Sequence, residues 1–113
     1  MRVGIAGYGV VGKTRYASIL KNTSFKVVAI SEKNQQAQKM IPNGIDIFNT
    51  YQELISNTEL DVIFISLPNK FASEAVSLSL KKGLHVFCEK PPAKTLDELK
   101  AVKKIYHKSP DLK

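Results

Sequence analysis

The chain is poor in the residues that cross-link secreted proteins and bind metals. It has one cysteine, Cys88, which can form no internal disulfide, and two histidines, His85 and His107, which stand apart from it. No Cys or His pair has metal-ligand spacing, so we expect no metal site, and we expect Cys88 to be a buried structural thiol. Neither histidine lies in a pattern that indicates catalysis.

Long apolar runs are also missing. The first apolar stretch is interrupted by Gly4, Gly7 and Gly9, so it is too short and too rich in glycine for a signal peptide or a membrane-spanning helix. We therefore expect a cytoplasmic protein with no membrane partner. With 113 residues, of which 43% are hydrophobic and 24% charged, the composition is typical of one globular domain over residues 1–113.

Positive charge is in excess but is not concentrated. The 17 Lys and Arg residues outnumber the 10 Asp and Glu residues and give a net charge of +7. The lysines are spread over several predicted helices, without the arginine cluster or aromatic stripe of a nucleic-acid interface. We expect no nucleic-acid partner, although a nucleic-acid binder stays as an alternative, and we interpret the charge as a solvated surface that attracts an anionic cofactor.

Apolar segments of strand length alternate with segments of helical period along the whole chain. The predicted strands are Val3–Ala6, Lys26–Ser31, Ile45–Phe48, Asp61–Leu67 and Leu84–Cys88. The first predicted helix starts at Val11, and the next two cover Asn34–Ile41 and Tyr51–Ser56. The fourth extends from near Lys70 to a left-handed Gly83. The fifth extends from a Thr95/Glu98 capping box to Pro110. This order predicts an α/β fold, a doubly wound and mostly parallel Rossmann sheet with strand order 3-2-1-4-5.

The last predicted helix is amphipathic. We expect Leu99, Val102 and either Ile105 or Tyr106 to face the sheet, because they share one helical face.

A glycine motif joins the first strand to the first helix. The segment Gly7-Tyr8-Gly9-Val10-Val11-Gly12 matches G-x-G-x-x-G, in which glycines permit a tight turn, close approach of a pyrophosphate, and close packing of helix on strand. Free N–H groups and the helix dipole at this point favour a diphosphate. The pattern alone is common, so a turn that binds nothing is the alternative. The flanking strand and helix favour a dinucleotide site.

An acidic residue, Glu32, follows Gly12 by 20 positions, at the end of the second strand. Its carboxylate would accept hydrogen bonds from the adenosine ribose hydroxyls and repel a 2′-phosphate, which favours NAD. Ser31 and Lys33 could hold that phosphate if Glu32 turned aside, so NADP stays possible. An exposed Glu32 without a ligand is the remaining alternative.

The segment Cys88-Glu89-Lys90-Pro91, preceded by Gly83-Leu84-His85-Val86, narrows the prediction. From Arg2 to Leu112 the chain resembles the glucose–fructose oxidoreductase / inositol dehydrogenase (Gfo/Idh/MocA) family. The resemblance rests on these two segments, on the glycine turn, on Val28-Ala29-Ile30 leading to Glu32, and on Asp61-Val62-Ile63 leading to Leu67-Pro68-Asn69. Each motif is modest alone, and their order and spacing make the resemblance specific.

The resemblance implies an N-terminal Rossmann domain that binds the nicotinamide cofactor. It implies that Leu67, Pro68 and Asn69 lie beside the cofactor and that Glu89 lies near the nicotinamide ribose. Lys90, joined to Pro91 by an often cis peptide bond, would point at the reacting carbon and is the catalytic candidate. A cation there would stabilise the alkoxide that forms as hydride leaves. The alternative is a surface lysine before a proline-rich turn.

The family resemblance also implies a whole enzyme larger than this chain. We expect a fragment of a two-domain, homo-oligomeric NAD(P)-dependent oxidoreductase that acts on a sugar-like or polyol substrate, and that ends before a C-terminal α/β substrate domain. Ala72, where many members have histidine, and Pro92, where an aliphatic residue is usual, leave the substrate class open. A stand-alone nucleotide-binding or sensor module, and a reductase of another kind, such as one of amino-acid biosynthesis, are the alternatives.

Overall fold

The structure, a computed structural model, describes residues 1–113 and contains ten alternating strands and helices. The strands are β1 Arg2–Ala6, β2 Lys26–Ser31, β3 Asp46–Phe48, β4 Val62–Ile65 and β5 His85–Cys88. The helices are α1 Val10–Ile19, α2 Gln35–Gln38, α3 Tyr51–Asn57, α4 Asn69–Lys81 and α5 Leu96–Tyr106.

The five strands form one parallel sheet in the order β3-β2-β1-β4-β5. The predicted doubly wound Rossmann fold and its strand order are confirmed. The fourth strand is shorter than predicted. Its ladder continues only to the bond from the Ser66 N–H to the Ala6 carbonyl (2.8 Å), so that Leu67 already belongs to the loop at the carboxyl edge of the sheet.

The core lies on both faces of the sheet, because the central strand β1 is buried on both sides. Val3 and Ile5 pack with the residues around α1, whereas Ala6 packs with those of α3 and α4, and all three are 0% exposed. Burial of a branched aliphatic side chain contributes roughly 1.5–3 kcal/mol, so these two layers account for much of the stability. This explains why β1 and β4 are continuous apolar runs rather than alternating ones.

The last helix differs from its prediction in two respects. The Thr95 hydroxyl accepts a hydrogen bond from the Glu98 N–H (3.2 Å). The Glu98 carboxylate accepts the backbone N–H of Lys94 (2.7 Å) rather than that of Thr95, so the predicted capping box is not closed. Leu99 was expected to face the sheet and is 43% exposed. The reason is that α5 packs on α4, so only Val102 and Ile105 reach the core.

Two further expectations concern helix ends and membranes. Gly83 has a φ of 84°, which confirms the predicted left-handed residue after α4. Every helix falls short of the length and apolar character that crossing a bilayer requires.

Candidate dinucleotide-binding site

A groove of about 580 Å³ opens at the carboxyl edge of the sheet, where β1, β2 and β4 end. In doubly wound sheets ligands bind at this edge, at the point where the strand order reverses. The groove is lined by Gly7, Gly9, Ser31, Glu32, Lys33, Asn49, Thr50, Tyr51, Gln52, Ser66, Leu67, Pro68 and Phe71.

The fold itself requires two glycines of the turn. Gly7 has a φ of +93°, a region that side chains disfavour, and its N–H donates to the Ser31 carbonyl (2.9 Å). A Cβ on Gly12 would overlap the Gly7 carbonyl oxygen, so glycine there lets α1 pack against the end of β1. These two positions shape the turn and need no ligand to explain them.

Gly9 is different, because neither its backbone nor its surroundings require glycine. Its φ is −75°, and a Cβ built on it would meet no atom within 4 Å. Beside it, the first backbone bond of α1 runs from the Lys13 N–H to the Gly9 carbonyl (3.0 Å), so the N–H groups of Val10, Val11 and Gly12 precede the helical ladder. Open space beside unpaired N–H groups is the arrangement that receives a phosphate.

Both carboxylate oxygens of Glu32 are held at the groove. Oε2 accepts the Tyr8 N–H (2.8 Å) and Oε1 accepts the Asn34 N–H (2.8 Å). Gln38 holds the backbone of Glu32, since its side-chain amide donates to the Glu32 carbonyl (2.6 Å) and to the Asn49 side chain (2.9 Å). Each carboxylate oxygen keeps capacity to accept a further hydrogen bond from a hydroxyl.

Sequence reasoning missed the outer wall of the groove. Tyr51 and Phe71 pack with ring centroids 6.3 Å apart, and the Tyr51 hydroxyl donates to Glu74 (2.8 Å). Burial and this bond to a carboxylate raise the pKa of Tyr51 to about 12, so the hydroxyl stays protonated. The available signal was Thr50-x-x-Glu53, a complete capping box that places the start of α3 at the groove.

The β5 end of the same edge lies outside the groove. The Glu89 N–H donates to the Ile65 carbonyl (2.9 Å), and the Glu89 carboxylate forms an ion pair with Arg15 of α1, which raises the pKa of Arg15. The Lys90–Pro91 peptide bond is cis, as the family resemblance implied, and both residues are exposed. Sequence reasoning missed Arg15.

Cys88 is only partly buried, with its thiol 3.3 Å from the Glu89 carbonyl. Burial, together with the charge of Glu89, raises the pKa of Cys88 to about 11. The thiol therefore stays protonated near neutral pH and is a poor nucleophile.

The structure divides the predicted site residues into three groups. Those that line the groove are Gly7, Gly9, Ser31, Glu32, Lys33, Leu67 and Pro68. Others support the groove or begin a helix beside it. Tyr8 is buried with its ring against Tyr16, and Asn69 is the first residue of α4. In the first turn of α1, Val10 and Val11 are exposed and Gly12 is buried. Those that lie at the β5 end are Glu89, Lys90 and Pro91.

The sheet order, the glycine turn and the acid at the end of β2 together define a Rossmann domain of the dinucleotide-binding class. A family model described as "Oxidoreductase family, NAD-binding Rossmann fold" (GFO_IDH_MocA) matches residues 1–112. The chain belongs to this family, and the predicted membership is confirmed.

Relatives within the family include dehydrogenases of sugars and inositols. The chain is 28% identical over 105 residues to D-xylose 1-dehydrogenase (NADP(+)) 2 of Haloferax volcanii, covering 90% of the chain and 32% of that protein. It is 30% identical over 102 residues to D-glucoside 3-dehydrogenase of Escherichia coli, covering 87% and 29%. The structure of myo-inositol 2-dehydrogenase from Lactobacillus plantarum superposes with a TM-score of 0.94 at 27% identity, covering 99% and 34%. The chain thus spans about a third of these proteins.

Proposed function

We propose that this chain binds NAD in the groove at the carboxyl edge of its sheet, as the cofactor domain of an oxidoreductase. We further propose that it works as the N-terminal part of a longer, two-domain enzyme, because it matches only about a third of each relative's length. The second domain would supply most of the substrate pocket.

The fixed carboxylate of Glu32 carries the proposal of NAD rather than NADP. Two backbone N–H groups hold it in the groove, which supports a carboxylate that keeps its place rather than turning aside for a 2′-phosphate near Ser31 and Lys33. Its negative charge favours two ribose hydroxyls and disfavours a phosphate at the same place.

The arrangement of the groove suggests how a dinucleotide would lie. The adenosine would sit between Glu32 and the Tyr51–Phe71 wall, and the diphosphate at the N–H groups that follow Gly9. Its other half would then extend across the ends of β4 and β5, toward Lys90.

For the reaction we propose hydride transfer between a carbinol carbon of a sugar-like or polyol substrate and the nicotinamide. The names of the relatives, which specify xylose, a glucoside and an inositol, support this substrate class. Lys90 is the proposed catalytic residue. Its ammonium would stabilise the alkoxide oxygen while a base outside this chain holds the hydroxyl proton.

Two broader proposals concern assembly and location. Exposed apolar side chains, among them Phe87 and Leu96 at 43% and 65% exposure, support a homo-oligomer or a covering second domain. The single cysteine leaves no possible internal disulfide, which is consistent with work in the cytoplasm.

A titration with NADH and NADPH tests the role of Glu32. The wild-type chain is expected to bind NADH at least about tenfold more tightly than NADPH. Glu32→Ala removes both the ribose acceptor and the repulsion, so we expect NADH affinity to fall about tenfold while NADPH affinity falls less or rises.

Glu59→Ala is the matched control, because it removes one negative charge at the opposite edge of the sheet, where only the Glu59 backbone carbonyl is engaged. Both dissociation constants should stay near wild type. A Glu32→Ala variant with an unchanged ratio of the two constants would refute the assignment of NAD selectivity to Glu32.

A further inference from the structure

The ion pair between Arg15 and Glu89 is the single one in the chain, although 17 basic and 10 acidic residues are available to form others. It joins residues 74 positions apart, and it connects α1, which begins at the glycine turn, to the segment that carries Lys90. Their side chains are 34% and 23% exposed. Pairs with this much exposure add little stability, so its placement calls for another explanation.

The Arg15 guanidinium is also held by an aromatic ring. Its guanidinium lies over the Phe87 ring, 5.1 Å from the ring centroid, and Phe87 stacks on Phe64 at 5.1 Å. A cation over an aromatic face is attracted to it, and the planar guanidinium is well suited to such stacking. Arg15 therefore holds Glu89 from a fixed position rather than as a freely moving surface charge.

The pairing leaves half of the Glu89 carboxylate available. Oε1 accepts from Arg15, whereas Oε2 has no hydrogen-bond partner in the protein. The Glu89 backbone is tied to β4 through the Ile65 carbonyl, so the carboxylate can reorient only about its side-chain torsions. Arg15 removes that freedom and aims the remaining oxygen.

We propose that Arg15 is a positioning residue, which orients the Glu89 carboxylate to accept a hydroxyl from the second nucleoside of the bound dinucleotide. The inference rests on the proposed function. If the diphosphate lies at the glycine turn and the adenosine lies at Glu32, the other half must cross the ends of β4 and β5, where Glu89 stands.

Comparison of two ligands tests this, because ADP contains the adenosine and diphosphate but lacks the second nucleoside. Arg15→Met keeps an unbranched side chain at this position and removes the guanidinium, and with it both the ion pair and the contact with the Phe87 ring. We expect the dissociation constant for NADH to rise roughly fivefold and that for ADP to change less than about twofold. The fluorescence change of NADH on binding should also shrink. Arg15→Lys restores a cation beside Glu89 without the planar group over Phe87, so it should recover only part of the lost NADH affinity.

A general loss of positive charge, or misfolding of the variant, would change the two dissociation constants differently. ADP carries more negative charge than NADH, so if Arg15 acted only through its charge, ADP binding would weaken at least as much, and the proposal would be overturned. Lys21→Met, which removes a cation just beyond the other end of α1, should leave the ratio of the two constants at the wild-type value. Partial unfolding would lower the number of sites rather than alter that ratio.

An unchanged NADH constant in Arg15→Met would also overturn the positioning role. Failure of the wild-type chain to bind either ADP or NADH would instead refute the proposed function, so the two failures are distinguishable.

Discussion

The two ends of the sheet's carboxyl edge are built differently. At the β2–β3 end, Glu32 is held by two backbone N–H groups, and Tyr51 is 8% exposed behind it. At the β5 end, Lys90 and Pro91 are exposed, and one ion pair, from Arg15 to Glu89, connects the segment to α1. The first end is closed by this chain alone, and the second is open.

The difference supports the proposed division between cofactor binding at one end and chemistry at the other. A closed and preorganised end can select and hold the adenosine half of a dinucleotide with little ordering cost. An open end leaves Lys90 free to meet a substrate, which other parts of a longer enzyme would position. We therefore expect changes at the closed end to alter affinity and changes at Lys90 to alter turnover.

The largest effect is expected for Lys90. In the proposed longer enzyme, Lys90→Met should lower kcat between about a hundredfold and a thousandfold, because one donor to the developing alkoxide is lost. The dissociation constant for NADH should stay within about threefold of wild type. Steady-state kinetics and a cofactor titration measure both, and an unchanged kcat would remove Lys90 from the chemistry.

The next effect concerns Cys88 at the open end. The pKa is raised from 9.0 to about 11, so alkylation by iodoacetamide at pH 8 should be about a hundredfold slower than in the urea-unfolded chain. Because the folded state favours the protonated thiol, its contribution to stability is present below pH 9 and lost as pH rises toward 11. Equal alkylation rates in the two states would show that burial does not protect the thiol.

A smaller effect separates the glycines within the turn. Gly12→Ala places a methyl group against the Gly7 carbonyl oxygen, so the free energy of unfolding should fall by about 2 kcal/mol, or roughly thirtyfold in the folding equilibrium. Gly9→Ala meets no atom within 4 Å and should leave that free energy near wild type. Urea denaturation of the two variants distinguishes a glycine that serves the fold from one that does not.

Local signals predicted most of the fold. The apolar runs gave the five strands, the glycine motif gave the turn, and Gly83 gave the left-handed end of α4, because each of these depends on neighbouring residues. Leu99 was placed wrongly, since helical period identifies an apolar face but not whether that face meets the sheet or another helix.

Long-range contacts were beyond the sequence patterns. The partners Arg15 and Glu89 are 74 positions apart, and the Tyr51–Phe71 wall joins two helices that meet only in the folded chain. The motif predicts Glu32 as the ribose acceptor but does not predict the two N–H groups that hold its carboxylate. Those N–H groups belong to Tyr8 in the glycine turn and to Asn34, the residue before α2, and only the folded loops bring them to the carboxylate.

The most direct test of a phosphate cradle at the glycine turn is calorimetric titration of NADH into the wild-type chain and Gly9→Ala. The methyl group would occupy the open space beside the N–H groups of α1 without disturbing the fold. We predict binding by the wild type and an affinity at least about tenfold lower for a fully folded Gly9→Ala. Equal affinities of the two proteins, or a wild type that binds no NADH, would contradict the account.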